Sequence, residues 1–273
     1  MKYFKNVTGS SADFYVYGEI VDEKVPDWFT GETSETEVDP SEFKNELDEL
    51  EARGIKDFNI YINSPGGSVF AASTIVSLIK RFATNSGAKI HSFIDGLCAS
   101  AATYLCMVAD DINVYKNSIM MIHKPMIFSM GNADDLQKDI DVLNTLEDNT
   151  MIPMYADKAK VDKKELKQLI ADETWFNGNE EDKMFIGNFF NINMLDETKK
   201  VTACSSRLLK NYKHVPEALD YAKVKAYEEE TKSMKAAEKV VENVEKEADE
   251  HVEKSGEKLD YSEFDDTIKL LKH

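Results

Sequence analysis

Cysteine is scarce in this chain of 273 residues. Cys98, Cys106 and Cys204 are the only three, an odd number with no C-x-x-C pair. That argues against a disulfide framework and against a zinc site built from paired thiols. Long apolar runs are missing too, since none reaches the roughly 18 residues that a membrane-spanning helix needs. The opening MKYFKNVTGSSADF lacks the apolar core of a signal peptide. The cytoplasm is therefore the expected compartment, with no membrane partner. Basic residues are outnumbered, 33 Lys and Arg against 51 Asp and Glu, for a net charge of −18. A nucleic-acid surface draws its affinity largely from Lys and Arg on phosphates, so nucleic acid is not an expected partner. No phosphate-binding P-loop occurs, and any use of ATP would belong to a partner chain.

What is present reads as a globular protein, 42% hydrophobic and long enough to bury a sizeable core. Residues 13–21, DFYVYGEIV, alternate as a strand does, and a polar stretch over 22–38 reads as a loop. Asp39-Pro40-Ser41-Glu42 is a helix start, with an acid at the N-cap, Pro at the first helical position and Glu at the third. Phe43, Leu47 and Leu50 keep one face apolar until Gly54, and Phe58–Ile62 reads as the next strand. Asn63-Ser64-Pro65-Gly66-Gly67 then feeds a helix with Val69, Ala72, Ile75, Val76 and Ile79 at helical spacing. A strand, a glycine pair and a helix in that order present backbone N–H groups to an anion or oxyanion. Pro-Gly pairs also serve as plain turns.

The stretch KIHSFIDGLCASA, Lys89 to Ala101, organises the rest. Ile90–Ile94 reads as a buried strand, Asp95-Gly96 breaks it, and Cys98–Ala102 opens an apolar helix running to about Ala109. Ser100 falls at the corner, where a hydroxyl meets free backbone N–H groups and the positive end of the helix dipole. That placement suits a nucleophile and an ordinary helix start equally well. Ile112–Tyr115 and Ile119–Ile122 follow as strands about a Lys-Asn-Ser turn, and the second delivers His123-Lys124-Pro125. Of the five histidines, His91 lies inside a strand and His214, His251 and His273 lie in the polar C-terminal third, so His123 is the best placed as a base.

Helices are expected from Asn132 to about Asp157, from Asp162 through Ile170, and from Asn179 to near Gly187. Alternating strands and helices with apolar strands indicate an α/β domain with covered sheets. Past about residue 196 the composition changes. Residues 223–258 are dense in Glu, Lys and Ala, with Met234, Ala237, Val241, Val244 and Ala248 spaced by three and four. Two segments follow: an α/β domain over 1–195 and a charged, mostly helical C-terminal extension over 196–273.

Three motifs in order carry a family resemblance: Asn63-Ser64-Pro65-Gly66-Gly67, Gly96–Ala102 and Met121-Ile122-His123-Lys124-Pro125. Together they resemble the Clp protease proteolytic-subunit family over roughly residues 13–190. Within it the sequence is most similar to the Clp-related head maturation (prohead) proteases of tailed bacteriophages, which share the YGEI-type strand, the INSPGG-x-VFA run and an acid-Thr-Trp segment, here Glu173-Thr174-Trp175. The resemblance implies a Clp/crotonase-like α/β fold of stacked βαβ units with a spiral sheet. It implies a serine endopeptidase assembled as a ring of copies of itself, with no cofactor and no metal, the helix 132–157 carrying the ring contact. Substrates would be proteins, scaffold and capsid proteins among them, and an ATPase unfoldase is a candidate partner. By position Ser100 is the nucleophile, His123 the general base, and the N–H groups of Gly67 and Ala101 the oxyanion hole. Thr174 stands where the family has its catalytic aspartate. Asp172 is slightly favoured as the third member and Glu173 is nearly as good. Alternatives from the same residues are a Clp-fold assembly protein with little or no activity, a crotonase-type acyl-CoA enzyme, and a Ser–Lys dyad drawing on Lys89 or Lys124.

Overall fold

The computed structural model of the chain describes residues 2–26, 28, 33–34, 36–51, 53–195 and 212–216. One compact unit spans Met1–Pro216. The expected helical extension lies outside the described residues, apart from the short stretch 212–216, which belongs to this first unit.

The chain begins with a hairpin, β1 (Phe4–Thr8) antiparallel to β2 (Ser11–Ile20). Helix α1 (Pro40–Glu51) starts where the sequence indicates, because Asp39 Oδ1 accepts from the backbone N–H groups of Ser41 and Glu42 at 3.0 and 2.9 Å. Strand β3 (Asp57–Gly67) leads into α2 (Val69–Ser86), which Ser68 caps and Gly87 ends with a left-handed φ of 67°. Strand β4 (Lys89–Ala99), α3 (Ala102–Met107), β5 (Asp111–Tyr115) and β6 (Ile119–Ile122) follow. Helix α4 (Ala133–Leu146) continues through a π-helical turn, Glu147–Met151, into α5 (Ile152–Ala156). Helix α6 (Lys163–Ala171), β7 (Thr174–Asn177), α7 (Ile186–Phe189) and β8 (Asn193–Leu195) complete the unit.

One eight-stranded sheet runs in the order β1-β2-β3-β4-β5-β8, and β6 and β7 branch from β4. Strands β2 to β5 and β8 pair parallel through helical crossovers, which is the stacked βαβ arrangement of a Clp-type α/β fold. Every second residue of β2, β3 and β4 points into a core that α1 and α2 cover with Phe43, Leu50, Ile75 and Ile79. Phe4, Phe14, Phe43 and Phe58 pack there with ring centroids 4.6–6.2 Å apart. Each such side chain contributes about 1.5–3 kcal/mol by leaving water.

Three local features differ from the sequence reading. Asp95-Gly96 does not end β4; it marks where the strand changes neighbour. Up to Ile94 the strand pairs with β5, and from Leu97 it pairs with β6. Asp95 is buried and accepts a hydrogen bond from the Tyr17 hydroxyl, so the acid that looks like a turn residue is held inside. Cys98 is therefore a strand residue and the helix opens at Ala102. Similarly, β3 extends through Ser64-Pro65-Gly66-Gly67, because the end of β2 still runs beside it, Glu19 opposite Gly66 and Ile20 opposite Gly67. The expected helix from Asn179 is instead a series of turns. Side-chain oxygens of Asn177 and Asp182 take the backbone N–H groups of Asn179 and Met184, and helix begins only at Ile186.

Helix α4 buries none of its residues. Leu136 and Ile140, one turn apart on the same side, stand 41% and 49% exposed. An amphipathic helix with an uncovered apolar side is an unpaired surface of this protomer. No helix among the described residues is long and apolar enough to cross a membrane.

Candidate active site

Ser100 sits between the last residue of β4 and the start of α3 with φ +53°, a left-handed conformation rare for a residue with a side chain. Its N–H donates to Met121 O at 2.9 Å, and its carbonyl accepts from Thr103 N at 3.0 Å. The chain is thereby turned sharply, and the hydroxyl is held out at the helix entry. A strained serine at a strand-to-helix turn is the arrangement of a nucleophile elbow.

Strand β6 runs beside the end of β4 and delivers His123 just past its last residue, Ile122. The Ser100 Oγ and His123 Nε2 are 2.7 Å apart, and Ser100 is the only hydrogen-bond partner of that ring among the described residues. Burial holds the imidazole below its ordinary value of 6.5, against a smaller upward pull from the Glu173 carboxylate. A neutral base poised on an alcohol is what proton abstraction needs.

Asp172 and Glu173 are adjacent but part ways. Asp172 closes α6, is exposed, and its carboxylate accepts from Gln168 Nε2 one turn back at 2.8 Å. Glu173 has φ +51°, which turns the chain into β7 and buries its side chain. Its Oε1 accepts from Trp175 Nε1 at 3.4 Å and from the backbone N–H of His214 at 2.7 Å. Glu173 is thus the buried carboxylate whose charge His123 feels, while the Asp172 carboxylate is exposed and bonded to Gln168. Thr174, at the acid's usual slot, donates to Leu169 O.

Gly66 and Gly67 bring backbone to the serine. A Cβ on Gly66 would meet Ala99 O at 2.6 Å, Ser100 Cβ at 2.8 Å and Ala101 N at 2.9 Å. A Cβ on Gly67 would strike Ile20 O at 2.0 Å. Both have positive φ, 95° and 142°, so only glycine fits either by shape or by conformation. Ser64 Oγ accepts from Gly66 N and donates to Gly18 O, and Asn63 Oδ1 accepts from Leu97 N, which ties this loop to β4. Gly67 and Ala101 border the same cleft of ≈ 660 Å³ as Ser100 and His123. Beyond them the cleft is walled by apolar side chains, among them Val69, Met126, Phe128 and Met151.

Other candidates fall elsewhere. His91 sits 2.7 Å from Asp111 on β5. Lys124 pairs with Glu147 at 3.0 Å, and Lys89 opens β4 at the strand end away from Ser100. Burial pushes the Cys98 thiol well up, so it is a packed residue without thiolate character. Among the described residues no group of His, Cys, Asp and Glu is set to hold a metal. Sequence reasoning missed Tyr212 and His214, which touch the site from far along the chain. Nothing in the local pattern around them signals that contact.

A profile of the Clp protease family matches residues 31–185. The chain belongs to the Clp protease family. It is similar to the ATP-dependent Clp protease proteolytic subunit of Bacteroides thetaiotaomicron, 33% identical over 84 residues, which is 30% of this chain and 36% of that protein. The corresponding subunit of Bacteroides fragilis is also 33% identical over 84 residues, covering 39% of its length. Proteolytic subunit 1 of Prochlorococcus marinus is 31% identical over 145 residues, 51% of this chain and 70% of that protein. The match thus spans little more than a third of the Bacteroides relatives. In this Clp-family chain the matched region covers α1 to the turns after β7 and stops short of Tyr212.

Proposed function

We propose that this chain is a serine endopeptidase of the Clp type. The observation that carries the reading is the 2.7 Å approach of Ser100 Oγ to His123 Nε2, beside a glycine turn packed closely against the serine. Ser100 attacks the substrate carbonyl while His123 takes its proton. The N–H groups of Gly67 and Ala101 receive the oxyanion, each such donor being worth about 2.7–4 kcal/mol. His123 then hands the proton to the leaving amine, which leaves an acyl group on Ser100. Water, deprotonated by the same imidazole, releases it. Glu173 supports the imidazolium formed at each transfer. The apolar walls at Val69, Met126 and Phe128 suit extended segments of unfolded or flexible protein.

Assembly through α4 completes the reading, its exposed apolar side covered by another copy of the chain. The finer role we propose is head maturation in a tailed phage, with scaffold and capsid proteins as substrates. The support is the opening YGEI strand and the Glu173-Thr174-Trp175 segment, in which the indole N–H reaches back to the carboxylate. The test is incubation of wild type and Ser100→Ala with an unfolded protein and with candidate scaffold protein. Cleavage by wild type alone is the expected result. Equal cleavage by both proteins would end the peptidase reading, and cleavage of generic substrate without scaffold would end the maturation role.

A further inference from the structure

The segment 212–216 lies against the candidate site, although it begins 27 positions past the end of the family match at residue 185. Its contacts are specific. The Tyr212 hydroxyl donates to Pro65 O at 2.7 Å, next to the glycine turn. The Tyr212 ring packs edge-on to the His123 imidazole, centroids 5.0 Å apart, and meets Trp175 at 6.2 Å. The His214 N–H donates to Glu173 Oε1 at 2.7 Å, and His214 Nδ1 lies 3.2 Å from Asp172 O.

These contacts fall on the base and acid side of the site. Pro65, His123, Glu173 and Trp175 are touched, and Tyr212 also borders the cleft that Val69, Met126 and Phe128 wall. The segment's ring contact and hydrogen bond go to His123 and Glu173, so it backs these side chains from the edge of the cleft. The consequences follow from ordinary chemistry. An aromatic ring over an imidazole removes water from it, which favours the neutral form. A backbone N–H bonded to a carboxylate oxygen fixes the group, and with it the position of the negative charge that the imidazole feels.

We infer that Tyr212 and His214 are positioning residues of the proposed peptidase site: the Tyr212 ring backs the His123 imidazole and the His214 amide anchors Glu173. The inference rests on the peptidase reading for its kinetic consequence but not for its geometry. The groups facing His123 are then the Ser100 hydroxyl, the Glu173 carboxylate and the Tyr212 phenol, while the neighbouring Lys124 ammonium is paired with Glu147.

The test compares full-length wild type, Tyr212→Ala, Tyr212→Phe and His214→Pro, the last lacking the N–H that Glu173 accepts. The His123 imidazole is titrated by NMR, and kcat and KM are measured on a peptide that wild type cleaves. Tyr212→Ala should bring the His123 midpoint up toward 6.5, whereas Tyr212→Phe, which keeps the ring, should hold it down. Both Tyr212→Ala and His214→Pro should lose kcat by about tenfold or more with KM within about twofold, and Tyr212→Phe should restore most of the loss. An unchanged midpoint in Tyr212→Ala overturns the inference. So does a rise in kcat, which would make the segment a plug, or a rise in KM alone, which would make Tyr212 a substrate wall. If wild type cleaves nothing, the peptidase reading fails by itself, and the titration still decides whether Tyr212 covers the imidazole.

Discussion

A side chain on Gly66 would place its Cβ 2.8 Å from the Cβ of Ser100. The glycine turn and the serine turn are therefore built against each other, and neither has room to change alone.

Gly66→Ala should show this directly. The new methyl group meets the backbone of Ala99 and Ala101, atoms that cannot swing aside, and φ of +95° is itself costly for alanine. Strain of this kind is worth about 1–3 kcal/mol. Denaturant unfolding should report a loss of at least that size, with labelling of Ser100 by a serine-directed probe slowed in the folded protein. Wild-type stability and labelling together would contradict the close packing.

The acid limb of activity should lie low. Only neutral His123 accepts the serine proton, and burial depresses its pKa below 6.5. Activity should therefore hold below that pH before it falls. In the same window the unfolded chain takes up a proton more readily than the folded one. Stability from this group is complete above 6.5 and is lost as pH falls through the folded midpoint. A rate profile with its acid midpoint above 6.5 would contradict the burial argument.

The two neighbouring carboxylates should separate cleanly. Glu173→Gln removes the charge that pulls the His123 pKa upward, so the acid midpoint should drop further while kcat falls at least about tenfold. Asp172→Asn alters an exposed group bonded to Gln168 and should change kcat by less than about twofold. The reverse order would restore Asp172 as the supporting acid.

Assembly should depend on α4. Ile140→Glu puts a charge in the middle of its exposed apolar side without touching the core. If that side meets another copy, burial of a charge there is strongly unfavourable, and light scattering should report monomers in place of the wild-type oligomer. The same particle size for both would move the contact elsewhere.

Much of this was readable from residue types. Asp39 caps the helix it precedes, the spacing of Ile75, Val76 and Ile79 marks the buried side of α2, and the ordered motifs point to Ser100 and His123. These signals are local, and local chemistry suffices to produce them. The misread features depend on distant partners. Asp95-Gly96 looks like a strand break, but β6 arrives to continue the pairing and Tyr17 satisfies the acid. Asp172 and Glu173 are indistinguishable by type, and a single left-handed residue at Glu173 decides which one turns inward. Tyr212 belongs to a region whose composition reads as a solvated extension, and only the folded chain brings it to His123.

The central claim is that Ser100 is an alcohol made nucleophilic by His123. The most direct test is mass spectrometry of the protein treated with an organofluorophosphonate, comparing wild type with His123→Ala. The account predicts a single adduct on Ser100 in wild type and its near absence in the variant. An adduct on another residue, or labelling of Ser100 at the same rate without the imidazole, would contradict it.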